Sequence, residues 1–238
     1  MDRHQLAAWA GMIGPTLFVA IFTLEGWLRP GYDPLGMFVS ELELGPRGWI
    51  QAVNFVVLGV LFLVFTRGVA AEFQDGKASR AGPILLTIIG ISYLASGIFV
   101  MDPVTTPPDQ MSWHGKLHTF FGALVFSLSP VSCLVFLRRF REDPRWRPLQ
   151  WWTLAAGTIT AASVVVQSVG PTQPPAAPNA FNEWIGVVQR TAIVTYLSWQ
   201  FTFALGLRRR SRRGWGECEE FCRQRARSGM ILFVRFAR

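Results

Sequence analysis

Six apolar stretches, each close to the length a helix needs to cross a bilayer, constrain this chain more than any other feature. They are Leu6–Leu28, Trp49–Thr66, Ala81–Met101, Leu117–Leu137, Leu149–Val169 and Trp184–Leu207. A helix rises about 1.5 Å per residue, so about 20 apolar residues span the hydrocarbon core. Hydrocarbon offers the backbone no hydrogen-bond partners, and a helix satisfies its own. The pattern therefore predicts an all-α polytopic membrane bundle of six transmembrane helices over residues 1–207, followed by a basic tail over 208–238. The first stretch is too long for the apolar part of a signal peptide. It runs into Glu25-Gly26-Trp27-Leu28-Arg29 where a cleavable signal would have small residues, so it is read as a retained helix. Composition agrees: half the residues are hydrophobic and only 16% are charged, against about 25% in a typical soluble domain.

Basic residues gather in every second gap. Arg3, then Arg67, Lys77 and Arg80, then Arg138, Arg139, Arg141, Arg145 and Arg147, and then ten in the tail all fall on one side. Arg29, Arg47, Lys116 and Arg190 fall on the other. Lys and Arg stay on the cytosolic side. The expected topology is three outward-pointing hairpins with both termini cytosolic, a multi-pass protein of the cell membrane. This asymmetry also accounts for the net charge of +8. The partners it implies are the bilayer, and anionic lipid at the tail, rather than nucleic acid. Cys133 lies in an apolar run; Cys218 and Cys222, in the tail, read as reduced thiols on the cytosolic side.

The residues able to do chemistry concentrate in the outer loops. His114 and His118 are four apart, which places both imidazoles on one helix face, a spacing that suits two ligands of one divalent metal such as zinc. Asp102, Glu41 or Glu183 could complete such a set; His114, His118 and Asp102 are the expected ligands. Position 115 is Gly, where the zinc-protease motif HExxH has its Glu. A haem held by two His on different helices is disfavoured, because His4, the third histidine, is on the opposite side. Arg190 falls inside the sixth span, where an Arg needs a partner; Glu25, Glu41 and Asp102 are the candidates. On this reading Asp102, Glu183 and Arg190 are candidate catalytic residues, and Glu41, Arg47, Gln189 and Arg190 candidate substrate contacts. A self-similarity runs through the outer helix mouths: Trp49/Val53/Asn54, Trp113/Leu117/His118 and Trp184/Val188/Gln189 share a Trp, an aliphatic residue four later and then a polar one.

Several of these segments resemble domain-of-unknown-function family 998. They are Ser40-Glu41-Leu42, Gly45-Pro46-Arg47-Gly48-Trp49, Met101-Asp102-Pro103, His114-Gly115-Lys116-Leu117-His118, and Glu183-Trp184 through Gln189-Arg190. The resemblance covers roughly residues 6–207. It implies a six-helix prokaryotic membrane protein and no particular activity. Three functions follow from the residues themselves. One is a membrane-embedded, metal-assisted hydrolase or transferase acting on a lipid or envelope precursor. The others are a small transporter and a non-enzymatic protein that binds a lipid or a protein partner.

Overall fold

The computed structural model describes residues 3–169 and 182–235, with side chains for 3–169 and 183–210. Its architecture is helical: α1 (Arg3–Leu28), α2 (Gly48–Glu72), α3 (Ala81–Ile98), α4 (Trp113–Glu142), α5 (Gln150–Val169) and α6 (Ile185–Arg235). Short 3₁₀ turns at Val39–Glu43, Arg147–Leu149 and Asn182–Trp184 link them. Helices α1 to α4, and α5 together with the turn before it, are long and apolar enough to cross a membrane. The sixth expected span is helical too, but Gln189, Arg190 and Gln200 make it more polar than these five. The chain is thus a membrane-helix bundle. Pro15 and Pro130 lie inside α1 and α4 without ending them. Past the bundle α6 does not break: the tail continues the same helix to Arg235.

Each helix packs against the one before it and the one after it, and α6 closes back on α1. The result is a ring of six helices in chain order, with only minor contacts across the middle. Lipid tails are as apolar as Leu, so membrane helices gain by close backbone approach at small residues. The α2–α3 seam shows this: a Cβ at Gly59 would sit 2.5 Å from the Leu94 amide nitrogen, and one at Gly97 would sit 2.3 Å from the Ala52 carbonyl oxygen.

The two ends of the ring differ. At the basic end Phe73, Phe136, Phe140, Trp146, Trp199 and Phe203 fill the centre, with Phe140 stacked on Trp146 at 5.3 Å and 14° and Phe203 edge-on to Trp146 at 5.2 Å. Phe18, Phe55, Phe62, Tyr93 and Tyr196 continue this packing into the middle of the ring. At the other end, which carries the residues 29–48 and 99–112 loops, the centre is polar and partly hollow.

Candidate functional site

The site begins with a stitched loop. Residues 32–43 fold over the mouth of the ring and are fastened to α6. Gln189 Oε1 accepts from the Val39 amide at 2.8 Å, Arg190 Nη1 donates to the Met37 carbonyl at 2.8 Å, and the Val187 amide donates to the Leu35 carbonyl at 3.1 Å. Tyr32 Oη donates to the Phe38 carbonyl at 2.9 Å, and Arg190 Nη2 donates to Tyr32 Oη. The loop ends in the 3₁₀ turn Val39–Glu43, opened by the Phe38 amide donating to Glu41 Oε1 at 2.7 Å. In a 3₁₀ helix residues three apart eclipse, so Ser40 and Glu43 share one side. The next helix holds this turn tightly: a Cβ at Gly48 would lie 1.8 Å from the Glu43 carbonyl oxygen. That close approach requires glycine within the Gly45-Pro46-Arg47-Gly48 segment.

The start of α4 supplies the second wall. Ser112 caps it, its Oγ accepting from the Gly115 amide at 3.0 Å. Asp102 braces the cap, accepting from the Ser112 amide at 2.7 Å and from Ser112 Oγ at 2.9 Å. A carboxylate at a helix N-terminus is favoured by the exposed amides and the helix dipole. A Cβ at position 115 would be 2.2 Å from Asp102 Oδ2, so Gly115 is there to admit this brace.

His118, one turn further on, points into the ring. Its Nδ1 lies 3.1 Å from the Ser96 carbonyl, 2.9 Å from the Phe99 carbonyl and 3.3 Å from Glu43 Oε2. Carbonyl oxygens only accept, so Nδ1 carries the proton. The side chain of Glu43 is fully buried: Oε2 accepts from the Met101 amide at 3.2 Å, and Oε1 has no partner among the described residues. Burial pushes its carboxyl up to about 8. Burial also raises Glu41, offset by the Phe38 amide and the charge of Arg190.

A cavity of about 660 Å³ opens beside this pair, between the 99–112 loop, α4 and α5. Ser40, Asp102, His118 and Gln189 line it, with Phe126 and Val164 among its apolar walls. A small chamber of about 40 Å³ continues inward to Tyr93 and Ser96, sharing Ser40, His118 and Gln189.

Of the residues expected from sequence, His118, Asp102 and Gln189 therefore meet at one cavity, and the others do not. His114 packs its ring against Trp113 at 3.8 Å and Phe99 at 5.8 Å. Among the described residues no three His, Cys, Asp or Glu side chains gather in a way that could hold a metal ion. The expected His114, His118 and Asp102 set is instead spread over three tasks: an aromatic stack, a buried contact with Glu43, and a helix cap. Glu41 and Arg47 line a separate pocket of about 420 Å³. Arg47 pairs with Glu25 at 2.5 Å, and Arg29 lies 3.6 Å from the same carboxylate. Glu183 is exposed in the turn before α6.

Arg190 does not take the carboxylate expected of it. It is satisfied by the Met37 and Gly186 carbonyls and Tyr32 Oη, and its guanidinium lies 5.9 Å from the Phe22 ring centre and 5.7 Å from that of Tyr32. It fastens the loop. The residue sequence reasoning passed over is Glu43. The signal that could have found it is its spacing of three from Ser40, once the segment is read as 3₁₀.

Ring, stitched loop and cavity together define a membrane-helix bundle, with a cavity of mixed polar and apolar lining at one end. The chain belongs to the family described as "Protein of unknown function (DUF998)", whose model matches residues 12–206. Comparison with curated proteins and with solved structures finds no match.

Proposed function

We propose that this protein spans the cell membrane with all six helices, both termini cytosolic, and acts at the outer face on an amphiphilic substrate by hydrolysis or group transfer. The nineteen-to-four division of Lys and Arg between the two ends supports the orientation. The Arg-rich stretch from Arg208 lies against anionic lipid of the inner leaflet.

The observation that carries the reading is how His118 is held. Nδ1 is committed to two carbonyls and Glu43, so Nε2 is the ring nitrogen left to act, on a side chain that lines the cavity. Nε2 takes a proton from water or a substrate hydroxyl, the usual role of a positioned imidazole. Glu43 is a positioning residue, and in its carboxylate form, which gains as pH approaches about 8, it stabilises the imidazolium. Ser40 and Gln189 offer polar contacts for a headgroup, and Phe126 and Val164 offer apolar surface for a chain. No metal enters this mechanism. The transporter alternative is less well supported, because the aromatic packing at the basic end fills the ring below the chamber.

The test uses purified protein in lipid nanodiscs, challenged with fluorogenic carboxylic-ester and phosphodiester lipid analogues. General-base contributions are worth roughly 10²–10⁴-fold, so His118→Gln should lose at least a hundredfold in turnover while His114→Gln keeps most of it. Turnover unchanged in His118→Gln would remove the reading. A diazirine-bearing phospholipid should crosslink to residues 119–127 of α4.

A further inference from the structure

A second cavity lies at the opposite end of the molecule and shares nothing with the site above. It has a volume of about 600 Å³ and sits between the first turns of α1 and the last turns of α2. Its floor is Ala7 and Gly68, where the helices come so close that a Cβ on Gly68 would lie 2.3 Å from the Ala7 Cβ. Around that contact stand three basic side chains, Arg3, His4 and Arg67, with Leu6 and Val64 on the same lining. Arg3, Leu6 and Arg67 are exposed.

Part of the basic charge at that end is already neutralised within the protein, and Arg3, His4 and Arg67 are the basic side chains that line this cavity. Arg139 and Arg145 pair with Asp143, Lys77 pairs with Glu142, and Arg210 pairs with Glu72 at 3.3 Å. Among the described residues no carboxylate pairs with Arg3, His4 or Arg67. The neighbouring acid on α2, Glu72, is already engaged by Arg210. The cavity thus concentrates positive charge where two membrane-spanning helices end, which is the level of lipid headgroups. Leu6 and Val64 lead from it along the apolar surface of those helices.

We infer that the cavity between α1 and α2 binds the phosphate headgroup of an anionic phospholipid, with an acyl chain laid along Leu6 and Val64. Arg3 and Arg67 hold the phosphate oxygens from two sides, and His4 adds a third donor. The apolar wall selects a lipid over a free anion: inorganic phosphate would take the charge contacts and leave that wall unused. The proposal does not depend on the reading of the His118 site.

The experiment is native mass spectrometry of the full chain, titrated with phosphatidylglycerol or phosphatidylcholine, alongside crosslinking with a photoactivatable phosphatidylglycerol and peptide mapping. Crosslinks should fall on residues 3–7 and 64–71. The double variant Arg3→Gln/Arg67→Gln should bind the first phosphatidylglycerol about 30-fold more weakly, the factor for two lost charges near anionic lipid. Arg138→Gln/Arg141→Gln removes the same charge elsewhere at that end and should leave this binding within a fewfold. Ala71→Trp, which fills the cavity and keeps every charge, should also lose the mapped crosslink. Equal loss in the two double variants would show diffuse attraction and overturn the site. Competition by millimolar inorganic phosphate would overturn the lipid assignment. His118→Gln should change none of these readouts, so failure here is distinguishable from failure of the proposed activity.

Discussion

The two ends of the ring solve the same packing problem with different chemistry. At the basic end six aromatic rings meet at about 5–6 Å, and the buried Trp146 Nε1 and Gln200 amide among them have no partner among the described residues. At the loop end the space is filled by a folded-over loop and by side chains that hydrogen-bond to carbonyls. The buried acid Glu43 is kept where its proton is favoured, and Glu43 Oε1 has no partner among the described residues. A buried polar atom without a partner costs stability, and such groups recur where chemistry is done. Unpartnered buried atoms occur at both ends, and what sets the loop end apart is that ionisable groups stand beside a cavity there.

The largest effect is expected at the aromatic end. Trp146→Ala removes a ring packed against Phe73, Phe140 and Phe203. The cost should be about 3–5 kcal/mol, read as lost thermal stability in detergent, with turnover at the His118 site unaffected in whatever protein remains folded. Stability unchanged in this variant would mean that the aromatic end is not the anchor.

Glu43→Gln tests the other end through pH. The folded protein raises the carboxyl from its ordinary 4.5 to about 8. Its contribution to stability is therefore complete below about 4.5 and is lost as pH rises through about 8. Wild type should lose a few kcal/mol between pH 5 and 9 that the Gln variant keeps, measured by denaturation across that range. Turnover should run the opposite way, rising towards pH 8 in wild type as the carboxylate forms, and staying flatter in the variant. Parallel stability profiles for the two proteins would show that Glu43 is not protonated in the fold.

A smaller effect is expected where the loop is stitched to α6. Gln189→Leu leaves the Val39 amide without its acceptor, at about 1–3 kcal/mol. Hydrogen exchange should quicken at residues 37–41 before it does so anywhere in α2. Lys77→Ala, breaking the exposed pair with Glu142, should cost at most about 1 kcal/mol. A larger loss would show that the basic end depends on surface charge as well as on its rings.

Much of the fold was legible in the apolar periodicity, because membrane helices need length and little else. The helix mouths were legible too: Trp49, Trp113 and Trp184 are exposed, while Asn54, His118 and Gln189, five residues on in each case, are buried. Asn54 donates to the Phe18 carbonyl of α1 and His118 to carbonyls at the end of α3, whereas Gln189 accepts from the Val39 amide, so the contact recurs in two of the three hairpins. The site was legible only in part. His118, Asp102 and Gln189 could be placed at one end by counting residues. Their tasks could not, because Asp102 serves a helix cap ten residues away and Glu43 reaches His118 across 75 positions of chain.

The sequence was enough to show apolar stretches long enough to span a membrane, with basic residues at one end and polar loops at the other. It did so because span length and charge placement are properties of consecutive residues. The closing of the helices into a ring in chain order, the bonding of Arg190 to the Met37 and Gly186 carbonyls and Tyr32, and the placing of Glu43 beside His118 came from the tertiary structure. Those outcomes depend on which side chains meet across the ring, and no local pattern encodes distance between residues so far apart in the chain.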